Sequence, residues 1–188
     1  MKFIFLLIFI IAKYTLHAQT VYTINDIVVD FPISKIINHS APSSSFQNLR
    51  DRLVIIDFFG TWCVPCVKAL PKLSSLQEKY KDKVRIFLVS NEPESKIANF
   101  IARQKNFNLP VVVDEENVFT KYFLPPSYPY TVVVSKNGRV ISIPTQEEMS
   151  EENINLWLKE QETGMGVSVT ETTNTISEPV SPVIYKKP

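Results

Sequence analysis

The chain has 188 residues, 45% hydrophobic and 21% charged, with twelve Phe, seven Tyr and two Trp. That is enough apolar material for one globular domain with a real core plus short extras, and it excludes wholesale disorder. A formal net charge of +1 without a basic stripe removes the electrostatic case for nucleic-acid binding.

The chain opens with Met1-Lys2, an unbroken apolar run over 3–12, and Leu16-His17-Ala18 ahead of Gln19. This pattern predicts a cleaved export signal over residues 1–18, with an uncleaved N-terminal anchor as the alternative. The run falls short of the ~20 apolar residues that a spanning helix needs. Residues 19–50 read as a lead-in, with a strand expected within 24–31 and a Ser-, Asn- and Pro-rich loop over 38–45. Residues 53–59 form a continuous apolar run that carries a single acid, Asp57. Its length and β-branched content predict a strand buried on both faces.

Gly60-Thr61 breaks that strand, and apolar residues at spacings of three and four predict a helix from about Cys63 to Lys81. Pro71 falls inside the pattern and should kink the helix, because it has no N–H to give. A second buried strand is expected over 84–90, a helix over 95–105, a short strand over 111–113 and a short helix over 117–123. Pro125, Pro126 and Pro129 then interrupt regular structure. Strands over 130–135 and 139–143 flank Asn137-Gly138, which predicts a two-residue hairpin turn. Ser150 caps a last helix running to about Gln161, with Met149 and Ile154 able to staple its start. Alternating strands and helices followed by an antiparallel pair predict an α/β fold, a mixed sheet with helices on both faces. The organised domain is expected over 51–162, and the Thr-, Ser-, Glu- and Pro-rich residues 163–188 as a mostly disordered tail.

The only two cysteines are Cys63 and Cys66, in Trp62-Cys63-Val64-Pro65-Cys66. They lie where a strand gives way to a helix. A sulfur there faces free backbone N–H groups and the positive end of the helix dipole, and both favour thiolate over thiol. The thiolate attacks in disulfide exchange. Cys63, at the helix mouth, is the expected nucleophile, and Cys66, one turn on and deeper, resolves the mixed disulfide. Pro65 suits a first helical turn and holds the two sulfurs in a fixed relation. Two blander readings compete. A structural disulfide this short constrains the unfolded chain less than a longer loop would. Half a zinc site lacks its other ligands, since His39 stands far off in a loop. No metal or cofactor is expected.

Residues 56–66, from Ile56-Asp57-Phe58-Phe59-Gly60-Thr61 through the Cys pair, with Pro71 five residues on, resemble the thioredoxin superfamily. More narrowly, they are similar to the exported TlpA-like thiol-disulfide reductases. The resemblance extends more loosely over 30–160. It implies the thioredoxin fold with an extra helix and strand between the active-site helix and the strand after a cis-proline, the place that Pro129 matches. It implies a redox disulfide between Cys63 and Cys66. Asp57 would be the buried acid beneath the pair and relay a proton to or from Cys66. Trp62 would pack beside the site, and the backbone of Tyr128 would meet an extended client segment. Phe59-Gly60 and Val64 depart from the commoner residues at their places.

The function expected is reduction of disulfides in exported client proteins, fed by a membrane or envelope thiol donor. Location would be the periplasm or cell envelope, and cytochrome c maturation is one process the resemblance implies. An oxidase or isomerase of opposite redox poise, and a redox-inactive binding module, are the alternatives. A peroxidase of this fold would need Thr and Arg near one Cys, which this run does not provide.

Overall fold

The structure, a computed structural model, describes residues 21–40 and 44–163. The predicted export signal over 1–18, and all of the predicted tail after its first residue, lie outside the described residues. Thirteen short and long elements follow in chain order: β1 (Pro32–Ile33), β2 (Ile36–Ile37), β3 (Ser44–Ser45), a 3-10 turn (Gln47–Leu49), β4 (Leu53–Phe58), α1 (Val64–Tyr80), β5 (Val84–Ser90), α2 (Glu94–Ile101), β6 (Val111–Val113), α3 (Val118–Phe123), β7 (Tyr130–Val134), β8 (Val140–Ser142) and α4 (Glu151–Thr163). The six-stranded sheet has the order β2-β6-β5-β4-β7-β8. β4, β5 and β6 run parallel, and β2, β7 and β8 are antiparallel to their neighbours. This is the mixed sheet that the element order predicts, in the thioredoxin arrangement that the resemblance implies. α2 and β6 are the extra pair between the Cys-bearing helix and Pro129.

β4 sits at the centre because all six of its residues are buried. Its side chains alternate between two cores, as period-two geometry requires. Leu53 and Ile55 pack with α1, Ile97, Ile154 and Trp157 on one face. Val54, Ile56 and Phe58 pack on the other against Phe31, Phe46, Phe119 and Phe123. The second core is aromatic: Phe31 stacks on Phe46 at 5.0 Å between centroids and meets Phe119 edge-on at 4.9 Å. Each fully buried aliphatic or aromatic side chain contributes about 1.5–3 kcal/mol against exposure.

Three local expectations change in detail. Residues 24–31 form no full strand; one bridge joins Ile27 to Arg139. Yet Asn25 and Val28 N–H donate to the carbonyls of Val140 and Gly138 at 2.8 Å, and Val140 N–H donates back to Asp26 at 2.9 Å. The lead-in thus covers the free edge of β8, and pairing resumes farther on, where β2 completes the opposite edge through β6. The loop expected over 38–45 ends in β3, which pairs with β1. The hairpin after β7 turns through three residues, because Ser135 N–H bonds the Arg139 carbonyl and only Gly138 takes a positive φ, 84°. That is a turn closed by a left-handed glycine. The last helix starts as read: Asn153 N–H donates to Ser150 Oγ at 3.2 Å, and Met149 and Ile154 are fully buried. Among the described residues no helix is long and apolar enough to cross a membrane.

Candidate active site

The three parallel strands deliver their following loops to one edge of the sheet. β4 leads into Phe59-Gly60-Thr61-Trp62, β5 into Asn91-Glu92-Pro93 and β6 into Asp114. β7 runs the other way, with Tyr130 opposite Phe58, so its entry at Tyr128-Pro129 reaches the same edge. The Tyr128–Pro129 peptide is cis. Cys63, Trp62, Tyr128 and Pro129, scattered in the sequence, therefore meet there.

Cys63 is the N-cap of α1, with extended backbone, and Pro65 occupies the second helical position. The Cys66 N–H points at Cys63 Sγ, 3.3 Å away. Val64 carries a further N–H of the first turn, the Val67 N–H donates to the Cys63 carbonyl at 3.0 Å, and Pro65 has none to leave unpaired. Charge on Cys63 Sγ would thus meet a ready donor and the positive end of a 17-residue helix. Pro71 lies inside that helix without ending it. The two sulfurs form a disulfide. In this oxidised state Cys63 is 4% exposed and Cys66 1%, so access to the pair is narrow and only slightly favours Cys63. The expected contrast between an open and a deep sulfur is small in this oxidised state, where both cysteines lie in the core with Phe59 and Leu70.

Trp62 is 63% exposed and lies over Gly60. A Cβ on Gly60 would stand 2.7 Å from the indole, so glycine is what lets the ring fold back on the turn. The Trp62 and Tyr128 rings are 5.7 Å apart and tilted, giving the Cys pair an aromatic rim with exposed Val64. Burial, with the nearby charges of Asp114 and Glu92, pushes the Tyr128 hydroxyl above its usual pKa.

Asp57 is 1% exposed, on the same sheet face as Ile55 and the Cys pair. Its Oδ2 accepts from the Thr131 hydroxyl and from the Gln146 amide, each at 2.7 Å. Burial pushes its pKa up to about 6, against the pull of those two donors. The Gln146 carbonyl oxygen is buried without a partner, so this amide is held by the acid and Thr131 alone. An acid poised there can exchange a proton near neutral pH.

Thr131, Gln146 and Glu92 are residues that the sequence reading did not single out. Glu92 is 7% exposed. Its carboxylate accepts from the Thr61 N–H at 2.6 Å and the Thr61 hydroxyl at 2.9 Å, and pairs with Lys96 at 2.6 Å. Burial pushes its pKa up, but Lys96 and Thr61 outweigh burial and hold it below the usual value. A usable signal existed: Glu92 follows a strand parallel to β4, so its loop had to lie beside the Cys loop, and Lys96 stands four residues on. Among the described residues, no group of three or more His, Cys, Asp or Glu side chains is placed to hold a metal ion.

Known proteins share this architecture. Residues 51–140 match the family model described as thioredoxin-like. Over 120 residues the chain is 32% identical to the thiol-disulfide oxidoreductase ResA of Halalkalibacterium halodurans, across 61% of this chain and 67% of that protein. Over 130 residues it is 30% identical to ResA of Geobacillus kaustophilus, across 68% of this chain and 72% of the relative. A crystal structure from Chlorobium tepidum, described as a thiol:disulfide interchange protein DsbE, superposes with a TM-score of 0.64. It is 20% identical and covers 74% of this chain and 99% of its own, a likeness of fold alone.

Proposed function

This chain belongs to the thioredoxin-like thiol-disulfide oxidoreductases, and from that premise we propose that it is exported and reduces disulfides of exported client proteins in the periplasm or cell envelope. The apolar leader at residues 3–12 supports the location. The observation that carries the chemistry is Asp57, a buried acid titrating at about 6 on the face of the sheet that holds the Cys pair.

In the reductive direction the Cys63 thiolate attacks one sulfur of a client disulfide. A mixed disulfide forms, and the client's other sulfur leaves as a thiolate and takes up a proton. Cys66 gives its proton to Asp57 and attacks Cys63 Sγ. The Cys63–Cys66 bond closes and the second client thiolate departs. Two electrons have then passed to the client, and an envelope thiol donor restores the dithiol by exchange with the pair. Trp62 and Tyr128 supply the apolar rim on which an extended client segment lies beside Pro129. An apocytochrome c with a Cys-x-x-Cys disulfide is one client of this kind.

The test is reduction of insulin with a dithiol as the electron source, together with the equilibrium potential of the pair against glutathione. Wild type reduces insulin and Cys63→Ser does not. The potential lies below about −220 mV, toward the thioredoxin end of the scale, and a value near −120 mV would reverse the direction. Equal insulin turnover by Cys63→Ser would leave only a binding module.

A further inference from the structure

One carboxylate ties the Cys loop to the extra helix. Glu92 receives both donors of Thr61, two residues before Cys63, and the Lys96 ammonium from α2. The Ser90 hydroxyl, from the end of β5, stands 3.4 Å from its Oε2. At Tyr128, the residue before the cis-proline, burial and then the charge of Asp114 raise the hydroxyl's pKa, and the charge of Glu92 acts in the same sense. Lys96 and Tyr128 are the titratable groups that interact with it, Asp114 acts on the same Tyr128 hydroxyl, and Thr61 and Ser90 are its neutral partners. The carboxylate thus holds the loop before Cys63 and the first turn of α2 together.

We propose that Glu92 is a positioning residue of the exchange reaction: it fixes the Gly60–Trp62 turn through Thr61, and its charge biases the Cys pair toward the disulfide. The bias follows from charge counting. The dithiol state gains an anion at Cys63 and the disulfide carries none. A fixed negative charge nearby disfavours that anion. The reduced state is destabilised, and the pair becomes a stronger reductant. The helix mouth acts in the opposite sense, so the poise of the pair is the balance of α1 against Glu92, with Lys96 moderating the acid. This rests on exchange at Cys63–Cys66 and deepens the reductase reading by naming a residue that sets its direction.

The experiment uses the full chain with Glu92→Gln and Lys96→Gln, each equilibrated with glutathione, and follows Cys63 ionisation by iodoacetamide rate against pH. Glu92→Gln keeps an acceptor for Thr61 but loses the charge. It should shift the equilibrium at least threefold toward the dithiol, about 14 mV upward, and lower the pH at which Cys63 ionises. Lys96→Gln should move both quantities the other way. A Glu92→Gln equilibrium within threefold of wild type, or shifts of the same sign in both variants, overturns the proposal. The wild-type potential judges the reductase reading and the difference between variants judges Glu92, so either can fail alone.

Discussion

Asp57 and Glu92 are both buried acids near the Cys pair, 1% and 7% exposed, yet they titrate in opposite directions. Asp57 meets two neutral donors, both on one oxygen, and burial wins. Glu92 meets an ammonium and a backbone N–H as well as a hydroxyl, and the donors win. Two differences therefore set the charge of these acids: Asp57 lies deeper than Glu92 and has only neutral donors, and Glu92 has an ammonium among its own. The consequence is a division of labour. Asp57 can gain and lose a proton during turnover, and Glu92 stays a fixed anion.

The largest effect that would break this comparison is kinetic. Asp57→Asn should slow release of a trapped mixed disulfide by roughly a hundredfold at neutral pH, as loss of a general base does, with attack by Cys63 nearly unchanged. Stopped-flow kinetics with a fluorescent disulfide would separate the two steps. Equal release rates would mean that Asp57 moves no proton.

The same variant should be more stable than wild type. Asp57 binds its proton up to about 6 in the fold but only up to the ordinary 3.8 when unfolded. Its contribution is full below 3.8 and lost as pH rises through 6, a loss of about 3 kcal/mol by pH 7. Chemical denaturation should show the Asp57→Asn advantage opening between those two pH values and absent at lower pH. A constant difference would contradict the raised pKa.

Thr131→Val is smaller. It removes one donor to Asp57 Oδ2, costs about 1 kcal/mol and raises the acid's pKa further. The pH midpoint for mixed-disulfide release should move upward, and a downward move would reverse the assignment. Glu92 sharpens the contrast through sign alone. Its pKa lies below 4.5, so its stabilisation is present above that pH and fades as pH falls through the folded value. Melting curves of wild type and Glu92→Gln should differ at neutral pH and converge in acid, the reverse of the Asp57 pattern.

The parts of this site legible in the sequence are those written in one contiguous run. Trp62, Cys63, Pro65, Cys66 and Asp57 fall within ten residues, and the strand-to-helix switch places them without any long-range contact. The roles of Asp57, Trp62 and Pro129 follow from the resemblance, and composition alone does not pick Pro129 from Pro125 and Pro126. The supporting donors were not legible for a plain reason. Glu92 stands 31 residues from Thr61, and Thr131 and Gln146 stand 74 and 89 from Asp57. Such pairs depend on sheet order, which hydrophobic periodicity does not specify. In the fold, long strands such as β4 and β5 declared themselves by burial on both faces. The lead-in did not: residues 25–28 bond the edge of β8 through backbone groups alone, and backbone pairing leaves little mark on side-chain pattern.

The account stands on Cys63 being an activated sulfur at the mouth of α1, and alkylation of the reduced protein tests that most directly. Iodoacetamide rates measured across pH, with the labelled residue identified by mass spectrometry, should show Cys63 modified first and ionising at least about one unit below the ~8.5 of a free thiol. Modification that begins at Cys66, or a Cys63 that ionises at the free-thiol value, would contradict it.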